Sequence, residues 1–258
     1  MSLARRYHAW MRVPLAITLD LDDTVWPIGP VIARAELALH AWLEAHAPAT
    51  ARRWPVDAMR GLRERIGRER TDLAHDFTEQ RRLVLAHALA DSGDDVALAG
   101  DAFDAFFAAR NAVECYPDAL DALARLAKRV PVAALTNGNA DLAAIGLHGH
   151  FAFCLCAREH GRPKPSACIF HAACDRLRLA PPDVLHVGDD AAHDIGGAAR
   201  AGLSTCWINR DGRAWPLDDV QPDLEFATRG ALADWLERQC DARPPDPRLR
   251  GDDERDAA

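Results

Sequence analysis

The sequence lacks a cluster of basic residues, and its net charge is −8. Because a phosphate backbone is bound by a concentrated basic face, this charge argues against nucleic acid as the main partner. The sequence also lacks an apolar run of the ~20 residues that a membrane span requires. The N-terminal stretch MSLARRYHAW is basic but contains no apolar segment before a cleavage signal. We therefore expect a cytoplasmic protein with no membrane association.

Paired cysteine motifs are absent as well. The chain has seven cysteines, an odd number, and none of them forms a CxxC pair. Several lie in apolar surroundings, as in the segment FAFCLC at 151–156. This pattern favours reduced core thiols over disulfide bonds or zinc ligands.

Short apolar runs that end in polar or glycine-rich turns predict five β-strands. These runs are 15–19, 132–135, 151–156, 184–187 and 204–208. Segments with helical spacing lie between them, for example 119–127 and 166–179. The alternation of strand and helix predicts an α/β fold, a Rossmann-like parallel sheet with helices on both faces.

A long helix-forming segment interrupts this alternation between the first two predicted strands. It is too long for a loop, so we predict an inserted all-helical domain at 28–113. The α/β core then comprises 1–27 and 114–240, and 241–258, rich in proline and charge, is predicted to be a disordered tail. About four helices are expected in the insert, with breaks near Pro48, Pro55, Gly67 and Gly93.

Acidic residues gather after the predicted strands. Asp20, Asp22 and Asp23 follow the first strand, and GDD at 188–190 with Asp194 follows a later one. Because the carboxyl ends of parallel strands share one edge, these carboxylates are expected to converge there and to require a cation. Oxygen donors without histidine or cysteine favour Mg²⁺. The alternative is that the first carboxylates merely end a strand and cap a turn.

Lysine is almost absent: the two lysines are Lys128 and Lys164 among 31 basic residues. Lys128 lies in the helix-ending segment AKR, where a solvent-exposed role is expected. Lys164 lies in GRPKP, where two prolines stiffen the backbone. An ammonium is a compact charge suited to a phosphate or carboxylate oxygen, although chance retention of Lys164 remains an alternative.

Four motifs occur in the order typical of one superfamily. They are DLDDT from Asp20, LTN from Leu135, RPKP around Lys164 and GDDAAHD from Gly188. On these motifs the chain resembles the haloacid dehalogenase-like hydrolases over roughly 15–28 and 116–235. The helical insert lies where the C1 cap of that superfamily is placed.

The resemblance implies an Mg²⁺-dependent phosphomonoester hydrolase. Asp20 is the implied nucleophile, forming an aspartyl-phosphate, and Asp22 is the implied general acid and then general base. Mg²⁺ is expected to bind Asp20, the backbone carbonyl of Asp22 and Asp189, with Asp194 or Asp190 in support. The phosphoryl oxygens are expected to be neutralised by Thr136, Asn137 and Lys164.

Two other activities are less favoured by the residues present. Haloacid dehalogenases use a similar aspartate nucleophile but lack the second aspartate and the metal, so Asp22 and Asp189 favour phosphate chemistry. A phosphoryl-accepting receiver module also gathers Asp, Thr and Lys at strand ends. Such a module is about half this length, has no helical insert and carries its acceptor after a middle strand.

Asp23 departs from the superfamily pattern of the DLDDT motif, since many relatives have glycine there.

Within the superfamily, the core motifs are similar to those of bacterial phosphatases that act on 5-amino-6-(5-phospho-D-ribitylamino)uracil and on FMN. This similarity implies a small-molecule phosphate ester of riboflavin biosynthesis as the substrate. Another small metabolite, such as a sugar phosphate, a nucleotide or phosphoglycolate, is the alternative.

Three further residues are candidates for contact with that substrate. Trp26 is expected either to stack on a flavin or pyrimidine ring or to seal the hinge between core and cap. Arg81 is expected either to face the substrate or to pair with Asp76, and His75 is expected to support the site. His193 is expected at the surface or behind the metal ligands.

Overall fold

The sheet of this protein has six strands, all parallel, in the order β3-β2-β1-β4-β5-β6. It is seen in a computed structural model that describes residues 13–242. The predicted α/β fold is thus confirmed, with one more strand at the edge than the sequence indicated. The strands are β1 Ala16–Leu19, β2 Val132–Thr136, β3 Cys154–Cys156, β4 Val184–Gly188, β5 Ser204–Ile208 and β6 Leu224–Phe226.

Five α-helices lie between β1 and β2, in the segment predicted as an insert. They are α1 Ile28–His46, α2 Pro48–Arg53, α3 Val56–Glu69, α4 Phe77–Ser92 and α5 Ala99–Arg110. The helices that follow belong to the sheet layers. They are α6 Ala119–Arg129, α7 Leu142–Ile145, α8 Ala157–His160, α9 Ala167–Leu177, α10 Gly197–Arg200 and α11 Arg229–Asp241.

The sheet is covered on both faces because alternate strand residues enter two different apolar clusters. Ile17 and Ala134 pack with α6 and α11 on one face. Leu135 and Leu155 pack with α9 and α10 on the other. Burial on both faces explains why β1, β2 and β4 are apolar almost throughout.

The insert has its own apolar cluster, formed by residues of α1 to α5 such as Leu43, Leu85 and Phe106. Five α-helices are present where about four were expected. The break predicted near Gly67 lies a few residues beyond it, because α3 continues through this glycine and ends at Glu69. A Cβ at Gly67 would lie 3.4 Å from the side-chain oxygen of Gln80 in α4, an ordinary van der Waals distance.

The C-terminal prediction is tested only in part. The last helix, α11, extends to Asp241, one residue into the segment predicted as a tail. Residues 243–258, like 1–12, lie outside the described residues. Within the described part of the chain, no helix has the length and apolar character required to traverse a lipid bilayer.

Candidate active site

The candidate site lies at the carboxyl ends of the three central strands. Leu19, the last residue of β1, is in register with Ala134 of β2 and Val187 of β4. The next residue, Asp20, continues this alignment, since its backbone N–H donates to the carbonyl of Val187 at 2.9 Å. The loops that follow the three strands therefore meet around Asp20.

Lys164 connects two of these loops through its ammonium group. Its Nζ donates to Oδ1 of Asp20 at 2.5 Å and to Oδ1 of Asp194 at 2.6 Å, and all three side chains are buried. Burial alone disfavours the lysine charge, but Asp194 and Asp20 outweigh it and raise the pKa of Lys164. Lys164 is therefore a fixed cation between two buried carboxylates. This contact gives a chemical reason for a lysine in a chain that otherwise uses arginine almost throughout.

The two carboxylates that share this ammonium differ in their pKa. Burial raises the pKa of Asp20 well above its ordinary value, and the charge of Asp194 adds to this increase against the opposing effect of Lys164. The pKa of Asp194 is lowered, because Lys164 and His186 outweigh its burial. Nε2 of His186 lies 3.3 Å from Oδ1 of Asp194. One lysine thus does not neutralise both acids.

Asp189 completes an acidic group at this point. Carboxylate oxygens of Asp20, Asp189 and Asp194 lie within 4.8 Å of one another. Burial, reinforced by Asp194, raises the pKa of Asp189 to about 7, although Thr24 donates to its Oδ1 at 2.9 Å. Three carboxylates against one ammonium leave two negative charges, which matches one divalent cation.

The donor atoms of this group suit such a cation. Among the described residues, Oδ2 of Asp20 and Oδ2 of Asp189 accept no hydrogen bond. Hard cations such as Mg²⁺ prefer oxygen ligands of this kind. The geometry brings Asp194 into the group, whereas the carboxylate of Asp190 accepts from the backbone N–H groups of Ala192 and His193 and caps the following turn. His193 is exposed and pairs with Asp190 at 3.1 Å.

Asp22 points to a different set of partners. Nη2 of Arg110 donates to both of its oxygens, at 2.7 and 2.8 Å, and Nε1 of Trp26 donates to its Oδ1 at 2.8 Å. A Cβ at Gly138 would collide with Oδ2 of Asp22, so a larger residue there would displace this carboxylate from its position beside the loop after β2. These contacts hold Asp22 in one position.

The buried position of Trp26 does not favour the first of its two expected roles, stacking on a ligand ring, and is compatible with the second, sealing the hinge between core and cap. The exposed fraction of Trp26 is 0%, and its ring packs in the core cluster of the sheet. A flavin or pyrimidine therefore cannot stack on it in this conformation. The residue instead orients Asp22 through its indole N–H.

Thr136 and Asn137 lie at the end of β2 and in the loop that follows it. Thr136 is buried, and its Oγ1 accepts from the backbone N–H of Gly138 at 2.9 Å. The amide of Asn137 donates to the carbonyl of Lys164 at 3.0 Å and accepts from its backbone N–H at 2.7 Å. Asn137 thus fixes the backbone that carries Lys164, and its side chain is committed to that contact.

Asp23 adopts a left-handed backbone with φ 59°. This region favours glycine and is tolerated by aspartate, which explains how aspartate replaces the glycine of many relatives. Its Oδ1 accepts from the backbone N–H of Ile28 at 2.9 Å and so satisfies the first turn of α1. Burial raises the pKa of Asp23.

A cavity of about 400 Å³ opens between the insert and Asp22. Its walls include Arg63 and Arg81 of the insert as well as Arg110 and Asn139. Its other lining residues are Ile28, Ile32, Glu64, Gly67, Phe77, Gln80, Phe106 and Gly138. Arg81 therefore lies in the cavity that contains the candidate general acid, whereas the structure places His75 in the turn before α4, outside the lining.

Sequence reasoning missed Arg110 and Asn139. Oδ1 of Asn139 accepts from Nε of Arg110 at 3.2 Å, and its Nδ2 donates to Oγ1 of Thr78 in α4 at 3.1 Å. Thr78, Asn139, Arg110 and Asp22 thus form one hydrogen-bonded chain from the insert to the site. Asn139 lies one residue beyond the glycine of the LTNG segment, which was the available signal; Arg110 looks like an ordinary basic residue in the last turn of a helix.

Comparison with known proteins gives one family over most of the chain. Residues 14–202 match the family described as haloacid dehalogenase-like hydrolase. The chain is 35% identical over 225 residues to the 5-amino-6-(5-phospho-D-ribitylamino)uracil phosphatase YigB of Escherichia coli K12, a match that covers 84% of this chain and 94% of that protein. It is 34% identical over 151 residues to the phosphoserine phosphatase of Thermus thermophilus, covering 56% of this chain and 60% of that protein.

A solved structure extends the similarity to the whole fold. The crystal structure of a 2-haloacid dehalogenase from Pseudomonas syringae pv. Tomato DC3000 is 38% identical and superposes with a TM-score of 0.80. The match covers 86% of this chain and 98% of that one. Relatives named for phosphatase and for dehalogenase activity therefore share this architecture, and the residues of the site must separate the two.

Proposed function

Because this chain belongs to the haloacid dehalogenase-like hydrolase family, we propose that it hydrolyses phosphomonoesters through an aspartyl-phosphate on Asp20. The observation that carries the proposal is the charge pattern around this residue. Asp20 lies against the ammonium of Lys164 and beside Asp189, and a second carboxylate, Asp22, is held by Arg110. A nucleophile, a fixed cation and a proton-transfer group are thus present together.

In the first step a carboxylate oxygen of Asp20 forms a bond to phosphorus, and the ester P–O bond breaks. Asp22 gives its proton to the departing oxygen. In the second step water attacks the same phosphorus and gives a proton to Asp22, while the bond to Asp20 breaks and inorganic phosphate leaves. Lys164 and Thr136 stabilise the phosphoryl oxygens during both displacements.

We propose that the acidic group binds Mg²⁺ through Asp20, Asp189 and Asp194, with the backbone carbonyl of Asp22 as a further ligand. When bound, the ion supplies positive charge that neutralises the phosphoryl group. The excess of two negative charges and the free Oδ2 atoms of Asp20 and Asp189 support this assignment, whereas Oδ2 of Asp194 also accepts from the backbone N–H of Asp190 at 3.1 Å. Residues 28–113 are proposed as the cap that encloses the substrate, since they form one wall of the cavity at Asp22.

Dehalogenation is the second candidate, because a structure named for that activity superposes well. Haloacid dehalogenases lack the second aspartate and the metal. This chain has a second aspartate, Asp22, and a proposed metal ligand, Asp189. Phosphatase activity is therefore preferred. Release of phosphate and release of chloride from 2-chloropropionate, measured on one preparation, separate the two reactions.

We propose that the substrate is 5-amino-6-(5-phospho-D-ribitylamino)uracil, FMN or both. The protein would then act in riboflavin biosynthesis. The support is the similarity to YigB, which extends over the insert as well as the sheet. All seven cysteines are unpaired, which is consistent with the cytoplasm as the compartment.

The test is phosphate release from a panel of esters, with Mg²⁺ and with EDTA. The panel holds both proposed substrates, sugar phosphates, nucleoside monophosphates, phosphoserine and phosphoglycolate. We expect kcat/KM to be highest for the ribityl phosphates and to vanish in EDTA. If another ester has the highest kcat/KM, the proposed role in riboflavin biosynthesis is wrong and the proposed phosphatase mechanism stands. If no ester is hydrolysed, the phosphatase activity itself is refuted.

A further inference from the structure

Arg81 is a buried cation with no anionic partner within residues 13–242. Its exposed fraction is 6%, and its guanidinium lies 3.6 Å from the ring centroid of Phe106. Among the described residues, its side chain makes no hydrogen bond and no ion pair within 4 Å. Burying a charge in this way is costly unless a polar partner is supplied.

Two carboxylates of the insert that are candidates to pair with Arg81 are already engaged. Glu36, which lies near it, accepts from Nη2 of Arg60 at 2.7 Å. Asp76 accepts from Arg158 at 3.1 Å and caps α4 through the N–H of Glu79. Pairing of Arg81 with either acid would break one of these contacts, and Glu64, a further carboxylate that lines the cavity, makes no ion pair with Arg81 within 4 Å in the described residues. An oxygen acceptor on a ligand in the cavity can pair with Arg81 without such a rearrangement.

A second positive side chain increases the need for such a partner. Arg63 of α3 lines the same cavity and makes no hydrogen bond or ion pair with the described residues. Burial and the nearby charge of Arg63 lower the pKa of Arg81 to about 9. The insert thus presents two unpaired guanidinium groups to the cavity.

The position of Arg81 within the cavity defines what it can contact. Asp22 and Gly138 lie at the wall formed by the loops of the sheet, next to the site of phosphoryl transfer, whereas Arg63 and Arg81 belong to the insert. A substrate that places its phosphate at Asp20 therefore extends its other end toward the insert. A volume of about 400 Å³ is within the range of ligand sites.

We propose that Arg81, assisted by Arg63, determines specificity by binding an oxygen acceptor at the end of the substrate away from the phosphate. The proposal rests on the phosphatase function and deepens it. The substrate class is a phosphomonoester whose leaving group carries carbonyl oxygens, such as the dione of a pyrimidine or flavin ring. A plain polyol phosphate leaves the guanidinium unpaired and is bound less well.

FMN and ribitol 5-phosphate are the matched probes, because both present a ribityl phosphate and only FMN carries the ring dione. We expect the wild type to favour FMN in kcat/KM. Arg81→Gln should lower this value about 10- to 100-fold for FMN and leave ribitol 5-phosphate within about twofold. The control is Arg82→Gln, which removes an exposed neighbouring charge from the same helix and should change neither substrate.

A purely structural role for Arg81 predicts equal losses for the two substrates, and this result would overturn the proposal. A wild type whose kcat/KM is no higher for FMN than for ribitol 5-phosphate would overturn it as well. Binding of FMN in EDTA, followed by its fluorescence, separates the proposal from the phosphatase function. If the wild type hydrolyses neither ester but binds FMN, and Arg81→Gln binds FMN more weakly, the phosphatase function fails and the binding role of Arg81 stands. If Arg81→Gln binds FMN as tightly as the wild type, the role of Arg81 is refuted.

Discussion

Arg110 binds both carboxylate oxygens of Asp22 through one nitrogen, at 2.7 and 2.8 Å. Arg110 is the last residue of α5 in the insert, and Asp22 lies in the loop after β1. The exposed fraction of this arginine is only 1%. The contact therefore joins the proposed cap to the proposed general acid and base, and it gives the cap a direct influence on proton transfer.

We predict that Arg110→Ala lowers kcat about 100-fold with a smaller change in KM. Without the guanidinium, Asp22 loses its fixed position and proton transfer becomes inefficient, a contribution of typically 10²–10⁴-fold. Arg110→Lys should not restore the rate, because an ammonium cannot reproduce the geometry of a planar guanidinium. Steady-state kinetics on one good ester measures both variants.

The control for Arg110 is Arg53→Ala, which breaks an ion pair to Asp91 in the insert, outside the cavity at Asp22. That variant should keep kcat. Thermal unfolding of all three variants separates loss of fold from loss of positioning. A wild-type kcat in folded Arg110→Ala would show that Asp22 needs no such contact.

We predict that Asp20→Asn abolishes hydrolysis while the protein remains folded. An amide cannot form the acyl-phosphate bond, but its oxygen can still accept from Lys164. Phosphate release and circular dichroism measure the two properties, and Asp57→Asn on the exposed face of α3 is the control. Turnover at the wild-type rate in Asp20→Asn would exclude this residue as the nucleophile.

Removal of divalent cations should stop hydrolysis, and Mg²⁺ should restore it. The same ion should raise the melting temperature of the wild type, since a ligand that binds only the folded state stabilises it. Asp189→Asn removes one of the charges of the acidic group and should weaken both effects. A melting temperature independent of Mg²⁺ in the wild type would contradict a metal site at these carboxylates.

Gly138→Ala should lower kcat at least 10-fold with little loss of stability. The added methyl group collides with the flexible end of Asp22 and displaces it from Arg110. Gly149→Ala is the matched control, because a Cβ at that position has no atom within 4 Å. Kinetics of the two variants in parallel makes the comparison, and equal activities would show that Asp22 tolerates displacement.

The sequence predicted the sheet and the catalytic loops because both depend on local patterns. Apolar runs define the central strands, and acidic residues directly after them mark the edge where Asp20 and Asp189 meet. The edge strand Leu224–Phe226 escaped prediction because its two apolar residues flank a glutamate and form no apolar run, unlike FAFCLC around the equally short β3.

The positions of Trp26 and Arg110 at the site depend on how distant segments pack. Trp26 stands near the catalytic loop in sequence, but its ring is enclosed by the core, so proximity along the chain did not translate into access for a ligand. Arg110 is 88 residues from Asp22 along the chain. Only the packing of the insert on the sheet brings the two together, and no motif encodes that distance.

The ion pair of Asp118 with Arg229 should make stability depend on pH in a defined direction. Nη2 of Arg229 lies 2.5 Å from Oδ1 of Asp118, and the backbone N–H of Arg229 donates to its Oδ2 at 2.9 Å. Burial opposes ionisation, but Arg229 and these hydrogen bonds outweigh it and lower the pKa of Asp118. A carboxylate with a lowered folded pKa stabilises the fold above its unfolded pKa, and the stabilisation is lost as the pH falls through the folded value.

We therefore predict that Asp118→Asn lowers the free energy of unfolding by about 2 kcal/mol at pH 7, the scale of a hydrogen bond to a charged group. The difference from wild type should stay constant down to about pH 4, near the ordinary pKa of aspartate, and shrink below it. Urea unfolding at a series of pH values measures it, with Asp57→Asn as a control whose stability follows the wild type throughout. A difference that persists unchanged at pH 3 would mean that the carboxylate charge of Asp118 contributes nothing and that the loss comes from packing alone.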